Sequence, residues 1–142
     1  MKPGAKRRRL RTIPYVPQES RNECGIACLQ MVLSFHGKQA SREELVGQLK
    51  LTPNGVTALD LLATARRCGL RGRGIRMPLG YLSRLPRGAI LHWGHRHYVV
   101  FDRKLARSVR IVDPEVGRRS VPIDLFELNF SGVALSFRAP HD

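Results

Sequence analysis

The chain has 142 residues, a formal net charge of +14 and an apolar content of 42%. That length fits one domain able to bury a core without disulfides or a structural metal, and the apolar content excludes a disordered chain. No run approaches the ~20 apolar residues of a membrane span, and the basic start leads into no signal-peptide core, so the chain as given reads as soluble.

Lys6, Arg7, Arg8, Arg9 and Arg11 precede the first apolar segment, and residues 1–12 read as a flexible basic arm. Tyr15-Val16-Pro17-Gln18 is an extended lead-in. From Glu23 to Phe35 the sequence ECGIACLQMVLSF predicts a helix apolar nearly all round, and so a buried one, with Gly37 at its stop. Ser41-Arg42-Glu43-Glu44 is a capping box that opens a short amphipathic helix. Thr57 to Asp60 repeats the capping logic for a third helix that ends at Gly69.

After Met77-Pro78 and a helical turn over 79–85, the character changes. Residues 89–93 and 97–101 are strand-like runs joined by a Gly94-His95-Arg96 hairpin. A third strand over 109–112 stops at Asp113-Pro114. Gly117 turns the chain into Ser120-Val121, 126–130 reads as one helical turn, and 133–137 is the last strand. Helices first and antiparallel strands after predict an α+β domain in two lobes, over residues 13–137, with 138–142 as a tail.

Three cysteines without framework spacing point to a reducing compartment. Cys24 and Cys28 lack a partner pair of metal ligands, so neither a metal site nor a cofactor is expected. The positive charge attracts polyanions, but no nucleic-acid-binding motif accompanies it, and no specific nucleic acid is expected as partner.

Cys24 falls in the first turn of the buried helix, where free N–H groups and the dipole stabilise a thiolate. Gly25 leaves room beside it for a substrate backbone. A thiolate needs a base that later returns a proton. His36 ends the helix away from Cys24, His141 lies in the tail and His95 in a turn. His97, held at the start of a strand, is preferred to His92, which stays open as the alternative. Asp113 ends the next strand, where register brings it towards His97. Gln18 lies six residues before Cys24, with an amide able to donate to an oxyanion. A Cys–His–Asp order with an upstream Gln is the arrangement of papain-like peptidases.

The segment from Gln18 to Met31 resembles the active-site segment of the bacteriocin-processing (double-glycine) peptidases, papain-like domains of peptidase-containing ABC transporters. The resemblance continues through His36-Gly37, Leu91-His92-Trp93, His97-Tyr98-Val99-Val100 and Asp113-Pro114 to Arg119. It implies a two-lobe papain-like fold with Cys24 as nucleophile, His97 as base, Asp113 as its orienting acid and Gln18 as oxyanion donor. It also implies a substrate, a ribosomally made precursor peptide. Its leader would bind as an amphipathic helix in an apolar groove and be cut after a Gly-Gly or Gly-Ala pair. The implied setting is cytoplasmic, at the inner membrane face, with the transmembrane and ATPase portions of an ABC transporter attached or separate. The isolated domain is expected to be a monomer.

Overall fold

The apolar run after Glu23 forms helix α1 (Cys24–Phe35) in the computed structural model, which describes residues 11–140. All its residues except Gln30 and Ser34 are buried. Gly37, at φ 75°, ends it: the Lys38 N–H reaches back to the Leu33 carbonyl at 2.8 Å, closing the six-residue turn that glycine permits. Helix α2 (Arg42–Gln48) starts with the complete capping box, Ser41 accepting from the Glu44 N–H. Helix α3 (Ala58–Arg67) is capped by Thr57, which accepts from the Asp60 N–H. These caps satisfy donors that helix formation leaves orphaned.

Six antiparallel strands follow: β1 (Arg71–Arg76), β2 (Ile90–Trp93), β3 (His97–Lys104), β4 (Ser108–Asp113), β5 (Gly117–Pro122) and β6 (Phe130–Arg138). Their order in the sheet is β1-β6-β2-β3-β4-β5. A 3₁₀ helix (Leu79–Arg84) separates β1 from β2, and helix α4 (Ile123–Asn129) leads directly into β6. The chain is therefore an α+β domain in which helices cover an antiparallel six-stranded sheet.

Side chains alternate across each strand, so the sheet serves two cores. Tyr98, Val100, Val112, Leu135 and Phe137 face α1 to α3. Val99, Phe101, Val109, Ile111 and Ala134 face the 3₁₀ helix and α4, with Phe126 and Trp93 stacked edge-on at 5.2 Å.

Strand β1 departs from the sequence reading, which has no strand before residue 89. RGRGIR offers neither β-branched alternation nor an apolar run. It becomes a strand because β6 pairs with it along its whole length, from Arg71↔Arg138 to Arg76↔Val133. A Cβ on Gly72 would come within 2.9 Å of the Phe137 ring, so the glycine that hides the strand from pattern reading is what lets Phe137 lie across it. Helix α4 is also longer than the turn expected at 126–130, and β6 begins at Phe130.

Residues 1–10, where most of the basic arm is expected, lie outside the described residues. Arg11 donates to the Ser34 carbonyl and stacks over the Phe35 ring, and Ile13 is fully buried.

Candidate active site

The residue before α1 is Glu23, a buried carboxylate that leaves the first N–H groups of the helix without a side-chain cap. Its oxygens turn instead to Ser20 and to Arg42, whose Nε lies 2.5 Å away. The hydrogen bond from Arg42 outweighs burial and holds the Glu23 carboxyl below its ordinary pKa. Cys24 thus opens α1 with a clear positive dipole end, beside a carboxylate already neutralised from the α2 side.

The strand register supplies the base. β3 and β4 pair at Val100↔Val112; continued, that pairing sets Asp113 diagonal to His97 on the same strand face. His97 Nε2 lies 2.8 Å from Asp113 Oδ1. The thiol of Cys24 donates to the Arg96 carbonyl at 3.7 Å, one residue before His97, and Cys24 is the other group that acts on the ring. Burial works against a charged ring, but the hydrogen bonds to Asp113 and Cys24, reinforced by their charges, raise the imidazole to about 10. Burial would likewise raise the Asp113 carboxyl. The bonds from His97 and from the Glu115 N–H at 2.9 Å, with the charge of Arg119, hold it below its ordinary value instead. The pair is built to carry imidazolium and carboxylate together.

The structure brings three of the sequence-selected residues, Cys24, His97 and Asp113, into one chain of contacts. His92 is not among them: it packs edge-on to Tyr98 at 5.6 Å, and burial together with nearby His95 lowers its pKa. Burial pushes the Cys28 thiol well above its ordinary value, with the charges of Cys24 and Asp113 adding to the effect, so Cys28 is a core residue. Gln18 lines the same cleft; its N–H donates to the Pro114 carbonyl at 2.9 Å and its Nε2 to the Ser20 carbonyl at 3.1 Å. One N–H of that amide remains, and Oε1 is buried without a hydrogen-bond partner among the described residues, as functional sites tolerate and cores do not.

Gly25 corrects one expectation. A Cβ there would meet Val56 Cγ2 at 2.5 Å, so this glycine makes room for the start of α3 and not for a substrate backbone. Tyr98 donates to the Val56 carbonyl at 3.3 Å from the other side. Val56 thus meets α1 through its side chain and β3 through its carbonyl.

The cleft that His97 opens onto holds about 330 Å³ and is lined by Gln18, Asn22, Pro53, Asn54, Arg96 and Glu115 as well. Three hydrogen bonds tie the 22–24, 52–54 and 94–96 segments together around it. Asn22 Nδ2 donates to the Thr52 carbonyl and Arg96 Nη1 to Asn54 Oδ1, each at 2.8 Å, while the Arg96 carbonyl faces Cys24 Sγ at 3.7 Å. Arg96 adopts φ 59°, the one non-glycine residue with positive φ among the described residues, a conformation costly for a long side chain. Sequence reasoning missed these bonds. The two-residue spacing of Asn22 from Cys24 and the tight Gly94–Arg96 turn were their only signals. His97, Asp113 and Glu115 also place ligand-type atoms within 4.8 Å of one another, but a cation there would compete with Cys24 for the imidazole.

Residues 12–142 match the family model described as the peptidase C39 family. The chain belongs to the peptidase C39 family. It is 30% identical over 125 residues to the colicin V secretion/processing ATP-binding protein CvaB of Escherichia coli, covering 88% of this chain but 18% of that protein. An uncharacterized protein of Methanothermobacter thermautotrophicus is 31% identical over 127 residues, covering 89% of each chain. Among solved structures, a double glycine motif protease from an AMS/PCAT transporter, in complex with its leader peptide, superposes with a TM-score of 0.85. That match has 30% identity and covers 90% of this chain and 92% of the other. The peptidase domain of Streptococcus ComA gives the same TM-score at 26% identity, covering 90% and 99% of the two chains. The fold and enzyme class are thereby those of a C39 cysteine peptidase. No helix among the described residues is long and apolar enough to cross a membrane.

Proposed function

We propose that this domain removes leader peptides from ribosomally made precursors, cutting after a Gly-Gly or Gly-Ala pair, at the inner membrane face and in concert with an ABC transporter. The unit that does so is residues 13–137, preceded by the basic arm 1–12. The observation that carries this reading is the imidazole of His97, held by Asp113 at 2.8 Å on the lining of an open cleft, with the Cys24 thiol bonded to the carbonyl of the preceding residue.

The Cys24 thiolate attacks the carbonyl carbon of the last leader residue. The Cys24 N–H and the remaining N–H of the Gln18 amide receive the oxyanion. His97, kept protonated by Asp113, gives its Nδ1 proton to the departing amine as the C–N bond breaks and a thioester forms. Water then attacks the thioester, His97 takes the proton, and the C–S bond breaks to release the leader acid and restore the thiolate. Asp113 holds the ring oriented and its charge balanced through both steps. Selectivity for small residues follows from a narrow slot beside the nucleophile, where a larger side chain would clash; the Arg96–Asn54 bond ties two lining segments of the cleft together. The helical leader upstream of the pair lies on an apolar surface outside the cleft.

The test is mass spectrometry of a synthetic Gly-Gly leader peptide incubated with this chain under reducing conditions. Cleavage after the second Gly, abolished by iodoacetamide and by Cys24→Ala while leader binding persists, is the expected result. Cleavage retained in Cys24→Ala overturns the mechanism.

A further inference from the structure

Between Asp60 and Asp102 the chain contains no acidic residue but eight arginines, and none follows Glu127 until Asp142. These stretches form β1, β2 and β6, which make one end of the sheet. Several of the arginines are engaged: Arg66 on the Gly72 carbonyl, Arg67 on Gln48 and Thr64, Arg87 on Asp102 and Arg96 on Asn54. Arg71, Arg73 and Arg138 differ from these. With Gly72 and Ser136 they line a shallow polar notch of about 270 Å³, and their guanidinium groups make no hydrogen bond or ion pair with the described residues.

Their placement runs against sheet stability. Arg71 is directly opposite Arg138, and Arg73, two residues on, points to the same face. Like charges in register repel. Edge strands do carry charges to discourage edge-to-edge pairing, but a cation on β1 alone serves that end. A second cation opposite it on β6, an inner strand, adds repulsion without guarding an edge. The arrangement gains from an anion that bridges the guanidinium groups, and phosphate oxygens fit their planar forks.

We propose that the β1–β6 corner docks on an anionic phospholipid surface, with Arg71, Arg73 and Arg138 taking the headgroup phosphates. This rests on the reading of the domain as one that works beside a membrane transporter. Two observations favour lipid over an acidic peptide. None of the exposed large apolar side chains (Tyr15, Leu59, Leu105, Val116, Leu125 and Leu128) belongs to β1 or β6, so the corner offers an amphipathic helix nothing to bury. The corner is also remote from the cleft. His97 pairs with Trp93 and Trp93 with Phe130, so Arg138 lies eight residues, or ~26 Å, farther along β6. A membrane held there leaves the cleft open to precursors.

The experiment is co-sedimentation of the full chain with vesicles of ~30% phosphatidylglycerol in phosphatidylcholine, each arginine near such a surface being worth about fivefold in partitioning. Replacing Arg71, Arg73 and Arg138 together by Gln is expected to lower partitioning about 100-fold. Replacing Arg103, Arg107 and Arg110 by Gln removes the same charge from the other end of the sheet and is expected to leave it within about threefold. Equal losses in the two variants, equal retention in both, or no binding by the unmodified chain overturns the proposal. A corner variant that binds vesicles normally but loses affinity for an acidic leader assigns the corner to peptide and also overturns it. Leader cleavage by the same preparations tests the peptidase reading separately, since none of the six arginines touches the catalytic chain.

Discussion

Gly25→Ala tests whether the residue after the nucleophile is a packing glycine. Its Cβ would lie 2.5 Å from Val56 Cγ2, about 0.9 Å short of the 3.4 Å at which ordinary contact begins, with Leu61 closing the other side at 3.4 and 3.5 Å. Val56 is buried and β-branched, so its methyl does not swing aside freely. Forcing one methyl into such a contact costs about 2 kcal/mol. Val56→Ala alone costs about 2 kcal/mol by leaving a cavity. If the clash is the cause, the double variant is no less stable than Val56→Ala, a favourable coupling of about 2 kcal/mol. Urea unfolding followed through Trp93, the single tryptophan and a buried one, measures all four proteins. Strictly additive losses would refute the assignment of Gly25 to Val56.

The remaining predictions concern charge and chemistry. His97, raised to about 10, contributes stability in full below 6.5, lost as pH rises towards 10; Asp113, lowered, contributes above its ordinary 3.8 and loses this as pH falls below it. Asp113→Asn should therefore flatten the fall in unfolding free energy between pH 6.5 and 10, move the alkaline limb of cleavage down and lower kcat about 100-fold; an unmoved alkaline limb contradicts the pairing. Arg42→Met strands the buried Glu23 carboxylate, so the loss in urea midpoint should be larger at pH 7 than at pH 4, where Glu23 takes up a proton; equal losses would leave the pair without electrostatic weight. Gln18→Ala should lower kcat about 100-fold with little change in KM, whereas a rise in KM alone would make Gln18 a binding residue.

The sequence exposes elements whose cause is local. Caps at Ser41 and Thr57 and the stop at Gly37 mark their helices because the bonds they make lie within a few residues. The β2–β3 register sets His92 opposite Tyr98 and His97 opposite Trp93, which separates the two histidines, and the end of β4 delivers Asp113 to His97. What stayed hidden depends on distant partners. β1 is a strand because β6 pairs with it, and Gly25 is small because Val56, thirty-one residues on, needs its place. The contact from Asn54 to Arg96 spans an α-helix, the 3₁₀ helix and two strands, and nothing in an arginine announces that it will take positive φ.

The last strand of the domain, β6, is an inner strand of the sheet, paired with β1 on one side and β2 on the other. During translation the hairpins from β2 to β5 emerge able to pair with their sequence neighbours, while β1 waits as a lone segment and β2 exposes a free edge. Only when residues 130–138 leave the ribosome do the two parts of the sheet join. Proteolytic competence is thus deferred to the end of the domain's synthesis, and the open flank of β2 is the place where a chaperone would be needed until then.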